Sequence, residues 1–432
     1  MSNRFASLRP LGHRDFALLW WASLVSNVGT WMQTVAVGAL VTARTGKASW
    51  AALVAAAAFL PVGVLSPVGG ALADRLDRRR WLAIGNLVQG MLAAVLAFAA
   101  AAGRATPGVV TLLTFGGGCM AALTLPFQMA MIPDIVPRED LLAATSLGSA
   151  QFNMGRVIGP ALAGAVIAAT SYTWAFAVNA VSFLAVIVAL VLMHVPAVPK
   201  ADEHRGLWHG IKDGVRVARA ERGCRAAIGL IAAVAFLAAP FIALIPAKAN
   251  LLAHAAGTRA LGQTAGITGI LTTAQGVGAV VGALLIAPLA ARVGRRRAIE
   301  LDVFVACLAL ALYAYAPNVP AAAAALALVG ASYIGVLSGL NTVVQLRAPA
   351  VYRARVLSLF FVALGVVYPL GALVQGALAD HLTLARTTTT GAILLAVLVA
   401  GLALARPQTL AALDDDARPV TPEVAAAPQP AR

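Results

Sequence analysis

Long apolar blocks follow one another along this chain from residue 16 to residue 406, each broken by a short polar stretch. A helix needs about 20 apolar residues to cross the roughly 30 Å of hydrocarbon in a bilayer. Each block therefore predicts a spanning helix. Twelve are predicted, at 16–41, 49–73, 81–103, 108–131, 143–169, 172–195, 226–247, 262–290, 298–316, 319–345, 356–380 and 387–406. Several exceed the minimum length and predict tilt or projection beyond the bilayer.

The sharpest interruption is Asp74–Arg80, with six charges in seven residues between two apolar blocks. Hydrocarbon excludes such a cluster, so it predicts a short aqueous hairpin between the second and third spans. A second basic hairpin, Arg292-Val293-Gly294-Arg295-Arg296-Arg297, lies between the eighth and ninth. Setting Arg75 on Arg292 gives an offset of 217 residues, about half the chain. The repeat predicts an all-α membrane protein with twelve transmembrane helices in two pseudo-symmetric six-helix bundles. The expected limits are 1–195 for the N-terminal bundle, 196–225 for a cytoplasmic linker, 226–406 for the C-terminal bundle and 407–432 for a disordered tail rich in Pro and Ala.

Composition narrows the class further. The chain is 60% hydrophobic and 11% charged, far below the charged quarter of soluble domains. The net charge of +15 does not point to nucleic acid, because the basic residues sit in short loops rather than on one face. With the N-terminus inside, only Arg44, Lys47, Arg104, Lys248, Arg259 and Arg386 fall on the opposite side, and Arg156 lies within a span. The positive-inside rule then places both termini in the cytoplasm. Arg outnumbers Lys and Ala abounds, pointing to a GC-rich bacterial genome and hence an inner membrane. The first apolar run is too long for a cleaved leader. Cys119, Cys224 and Cys307 lie far apart with no metal spacing, so no metal or cofactor is expected. In the linker, Leu207, Ile211, Val215 and Ala218 share one helical face beside Trp208, while Lys212, Arg216 and Arg219 lie elsewhere. This predicts a helix resting on anionic lipid, against the alternative of a solvated linker with chance periodicity.

Gly70-x-x-x-Asp74-Arg75-x-x-Arg78-Arg79 resembles the signature of the major facilitator superfamily, with Asp77 where Gly is usual. The second copy keeps Arg292, Gly294, Arg295 and Arg296 but has Ala291 in place of the acid. Pro133–Leu141, Gly155–Gly164, Ser26–Gln33 and Tyr352–Val356 resemble its branch of bacterial siderophore and drug exporters. The resemblance runs from about residue 10 to 405. It implies the major facilitator fold and a secondary active transporter whose halves rock about a midplane site. Its substrate would be a small amphipathic or anionic molecule, siderophore-like or drug-like, exported by a monomer at the expense of protons.

The resemblance also gives the hairpin a role. Asp74 would face the positive end of the eleventh span near Arg353 and Arg355, and Arg78 or Arg79 would bridge to Asp134. With Gly70 and Arg75 these residues form a candidate gate; the alternative is that the charges only enforce topology. Gly155, Gly159, Pro160 and Pro369 are expected to kink and pack the fifth and eleventh spans.

Arg156 lies about 20 Å along the fifth span, near mid-bilayer, where a guanidinium needs a wet cavity or a partner. It would attract anionic or phenolic groups of a substrate, or else hold neighbouring helices through their carbonyls. Asn27, Trp31 and Gln33 on the first span are further candidate contacts, with Gln151, Asn153, Gln275 and Tyr333. Each is also open to being an interhelical hydrogen bond. Proton coupling rests on the resemblance alone: Glu300 and Asp302 are the acids just inside a span, and they follow Arg295, Arg296 and Arg297 closely enough to pair with them. No GxxxxGK[ST] loop occurs, so ATP is not expected to drive transport directly. The histidines lie in loops or at span ends with no HExxH, which argues against an enzyme. A membrane enzyme or a non-transporting receptor on the same fold remain the rival readings.

Overall fold

The computed structural model describes residues 3–73, 75–194, 207–257, 261–349 and 352–414. Twelve helical segments in it are long and apolar enough to cross a membrane. The first half holds α1 (Arg14–Thr45), α2 (Ala48–Ala73), α3 (Arg78–Ala101), α4 (Pro107–Ile135), α5 (Leu141–Ala169) and α6 (Tyr172–Leu192). After α7 (Leu207–Ala220), the second half holds α8 (Arg222–Leu237) and α9 (Phe241–Ala255) as one span. α10 (Leu261–Val293), α11 (Arg295–Tyr315) and α12 (Val319–Arg347) follow. α13 (Arg353–Val362) and α14 (Tyr368–His381) make another span, before α15 (Leu384–Ala405) and the short α16 (Pro407–Ala411).

Twelve crossings return the chain to the face where it began, here the terminal face; the other is the distal face. Each half packs as its own bundle, α1 against α5 and α6 in the first, α10 and α11 against α12 in the second. The halves meet along two seams, α5 on α10 and α2 on α14. Turns between spans are short. At the first, Gly46 takes a left-handed φ of 67° and its N–H bonds Thr42 O, so α1 passes to α2 in two residues.

Local chemistry moves several expected boundaries. The seventh span, expected at 226–247, runs from Arg222 to Ala255 and breaks at Ala238–Pro240, where Pro240 has no N–H to give. Its end was misplaced because Lys248 reads as a loop residue. Lys248 is instead 7% exposed, and Nζ donates to the carbonyls of Ala314 and Ala316 at 3.0 and 2.9 Å, satisfying the end of α11. In the eleventh span a π-turn, Ala363–Val367, joins α13 to α14. Pro369 cannot donate to Gly365 O, and the wider turn absorbs that gap.

The linker and the tail also differ from expectation. Within α7, Gly214 and Ala218 are buried, and Gly214 lies against the backbone of Arg355. That end of the helix rests on protein rather than on lipid. Residues 407–414 are ordered: Leu410, Ala412 and Leu413 are 2%, 1% and 0% exposed. Asp414 Oδ1 accepts from Arg296 N at 2.8 Å, and Arg295 donates to Leu413 O. At the first hairpin Asp77 caps its own helix, accepting from Arg80 N at 2.7 Å. Gly294 stands 217 residues on and has no side chain, so the tail supplies the cap. Residues 415–432 lie outside the described residues.

Candidate functional site

The seam between α5 and α10 is built from small residues. Gly155 and Gly159 seat α1: a Cβ on Gly159 would lie 2.6 Å from Trp31 Cβ, and one on Gly155 would lie 3.0 Å from Asn27 Cβ. Farther along, a Cβ on Gly164 would lie 3.3 Å from Gly266 Cα, and one on Gly269 would lie 2.5 Å from Pro160 O. α5 is thus a thin wedge between α1 of its own bundle and α10 of the other.

Arg156 projects from this wedge where the bundles meet. Its Nη2 donates to Gln275 Oε1 on α10 at 3.0 Å, and Cζ lies 5.8 Å from the centre of the Trp31 ring. Both contacts suit a guanidinium in a poorly hydrated place. Aromatic rings surround it. Phe152 meets Trp31 edge-on at 5.7 Å, Phe59 of α2 meets Tyr368 at 5.7 Å, and Phe241 meets Tyr333 at 6.1 Å. The phenols of Tyr333 and Tyr368 are within electrostatic reach of Arg156.

This cluster carries unused hydrogen-bonding capacity. Among the described residues Gln151 Nε2, Gln275 Nε2 and Tyr368 Oη are buried without a partner. Buried donors left unmade are expensive, so each of these groups would gain from a further partner.

The structure gathers only some of the expected residues. Trp31, Arg156, Gln275 and Tyr333 come together. Asn27 lies one turn away on α1 beneath Gly155, and Gln151 is buried on α5, 5% exposed. Gln33 instead points into its own bundle, accepting from Asn179 Nδ2 at 2.8 Å, and Asn153 donates to Ser149 O of its own helix. Sequence reasoning missed Tyr368; its place beside Pro369 was the available signal.

The candidate gate is partly formed. Arg78 Nη1 donates to Asp134 Oδ2 at 2.5 Å and to Ala130 O at 2.9 Å, while Arg79 donates to Val191 O. Among the described residues, a Cβ on Gly70 would meet nothing within 4 Å. Arg75 and Arg353 are exposed, and Arg355 lies over the Tyr352 ring at 5.5 Å. Asp74 lies outside the described residues. Glu300 pairs with Arg296 at 2.7 Å, whereas Asp302 Oδ2 is buried with no hydrogen-bond partner among the described residues and faces Gly335.

The links between the halves described so far lie at the midplane or toward the distal face. There, Asp380 Oδ1 accepts from Ala48 N at 2.7 Å.

Comparison with known proteins agrees with this architecture. A family model for transmembrane secretion effectors matches residues 5–432. The multidrug efflux pump Tap of Mycobacterium tuberculosis is 28% identical over 407 residues, covering 92% of this chain and 94% of that protein. The staphyloferrin A transporter of Staphylococcus aureus is 27% identical over 173 residues, 40% of this chain and 44% of that one. Among solved structures, a bacterial homologue of the human lysosomal transporter Spinster superposes with a TM-score of 0.68 at 14% identity, covering 96% of this chain and 98% of its own. Matched along nearly its whole length, this chain belongs to the transmembrane secretion effector family, multi-pass efflux transporters of the major facilitator superfamily.

Proposed function

We propose that the chain exports small amphipathic or anionic molecules, drug-like or siderophore-like, by alternating access driven by protons. The observation that carries this reading is Arg156. A membrane-embedded guanidinium, held between bundles by Gln275 and Trp31, offers an anion or a phenol a charge, a stacking surface and spare donors together. The named relatives pump multiple drugs or carry staphyloferrin A, which is consistent with such a site.

The hairpin residues Gly70, Asp74, Arg75, Arg78, Arg79 and Asp134, with Arg353 and Arg355, are proposed as the terminal-face gate. In the structure Arg78 and Asp134 are joined within one bundle, and Asp74 is proposed to contribute to the contact between bundles. Asp302 is the proposed proton-carrying acid, because Glu300 is taken by Arg296. The protein is proposed to work as a monomer with both termini in the cytoplasm.

The test is transport by purified protein in liposomes under an imposed pH gradient, with anionic, phenolic and neutral probes. Accumulation that collapses when the gradient is dissipated supports the reading. Movement indifferent to the gradient removes proton drive, and no movement of any probe removes the exporter.

A further inference from the structure

The pentapeptide Gly-Ala-Leu-Ala-Asp occurs twice, as Gly70–Asp74 and as Gly376–Asp380. The copies do not obey the 217-residue repeat. The first begins in the last turn of α2 at the terminal face, and the second lies within α14 at the distal face. α2 and α14 are the helices of one seam. The span containing α14 crosses α2 where a Cβ on Gly63 would lie 2.6 Å from the Gly365 carbonyl carbon.

The distal copy is engaged. Asp380 Oδ1 accepts from Ala48 N at 2.7 Å, and both its carboxylate oxygens lie 3.4 Å from Ser49 N. These are the first N–H groups of α2, which its own helix cannot satisfy. One turn earlier, Gly376 makes room for the approach: a Cβ there would lie 2.5 Å from Ala52 Cβ and 3.2 Å from Ser49 Cα. The C-terminal bundle therefore caps a helix of the N-terminal bundle. The terminal copy is disengaged at its glycine, since nothing among the described residues lies within 4 Å of the Cβ position of Gly70.

We propose that Asp380 is the distal-face gating residue of the transport cycle, a latch that must release before that face opens. Gly376–Asp380 seats on the start of α2 when the distal face is shut. The inference rests on the alternating access proposed above. Asp380 is a positioning residue and touches no substrate.

The test measures population, not transport. In a cysteine-free background, spin labels at Arg104→Cys, on the distal loop before α4, and at Arg386→Cys, in the exposed first turn of α15 at the distal face, report the distal separation by double electron–electron resonance. Loss of one helix cap predicts that Asp380→Ala raises the distal-open to distal-shut ratio about fivefold. Asp380→Asn, whose side chain caps as well, should stay near wild type. An unchanged distance distribution in Asp380→Ala overturns the latch, as does an equal shift in both variants. If no variant, with or without probe substrate, shows two distal distances, it is alternating access itself that fails.

Discussion

Replacing Arg156 by Ala separates a binding arginine from a packing one. A hydrogen bond to a charged group is worth about 1.5–3 kcal/mol, so a substrate that bonds the guanidinium through an anion should lose about 10- to 150-fold in affinity. A neutral probe of similar size, held by the rings, should change by about twofold or less, because Trp31, Tyr333 and Tyr368 remain. The substitution also strips the partner from Gln275 Oε1, whose side chain is 1% exposed and whose amide nitrogen is already unbonded. That orphan costs about 1–3 kcal/mol of stability, so melting temperature is recorded beside every affinity. Arg156→Lys keeps the charge but not the planar fork and should fall between wild type and Ala for anions. The assay is equilibrium binding to detergent-purified protein, one anionic and one neutral probe, well below the melting point. Equal losses for the two probes would refute a substrate-facing Arg156 and leave it as a tie between bundles.

Two further outcomes follow from the packing of the second bundle. Arg347 Nη2 and Nε reach Glu221 Oε1 at 2.6 and 2.9 Å, both side chains largely buried; Arg347→Ala leaves that carboxylate uncompensated and should cost about 3–5 kcal/mol, read as a lowered melting temperature. Ending the chain after Arg406 removes fully buried Leu413 and the Asp414 cap, which should lower stability by about 2–4 kcal/mol, whereas ending it after Asp414 should leave the melting curve unchanged.

How much of this was legible in the chain depended on the range of the forces involved. Span positions follow from hydrocarbon length, a one-dimensional rule, so all twelve spans were readable, and the seventh was drawn short where Lys248 found carbonyls on another helix. Arg156 was legible because a charge within an apolar block is costly wherever it points. Its partner Gln275 was named, but the pairing was not, since no spacing rule links residues 119 apart on different bundles. Gln33 shows the converse: its place on the first span could not reveal that Asn179 turns it inward. The tail looked featureless because Pro and Ala hide the burial of Leu410 and Leu413, which only the underside of the second bundle defines. The paired Gly-Ala-Leu-Ala-Asp segments are visible in the sequence, but they stand 306 residues apart and so fall outside the half-chain repeat.

The borrowed cap at Arg296 fixes an order of events during synthesis. Asp77 is made beside the helix it finishes, whereas Asp414 is made only after every span has been translated. The nascent second half must therefore enter the bilayer with one of its corners unsealed, and its last translated described residue closes it.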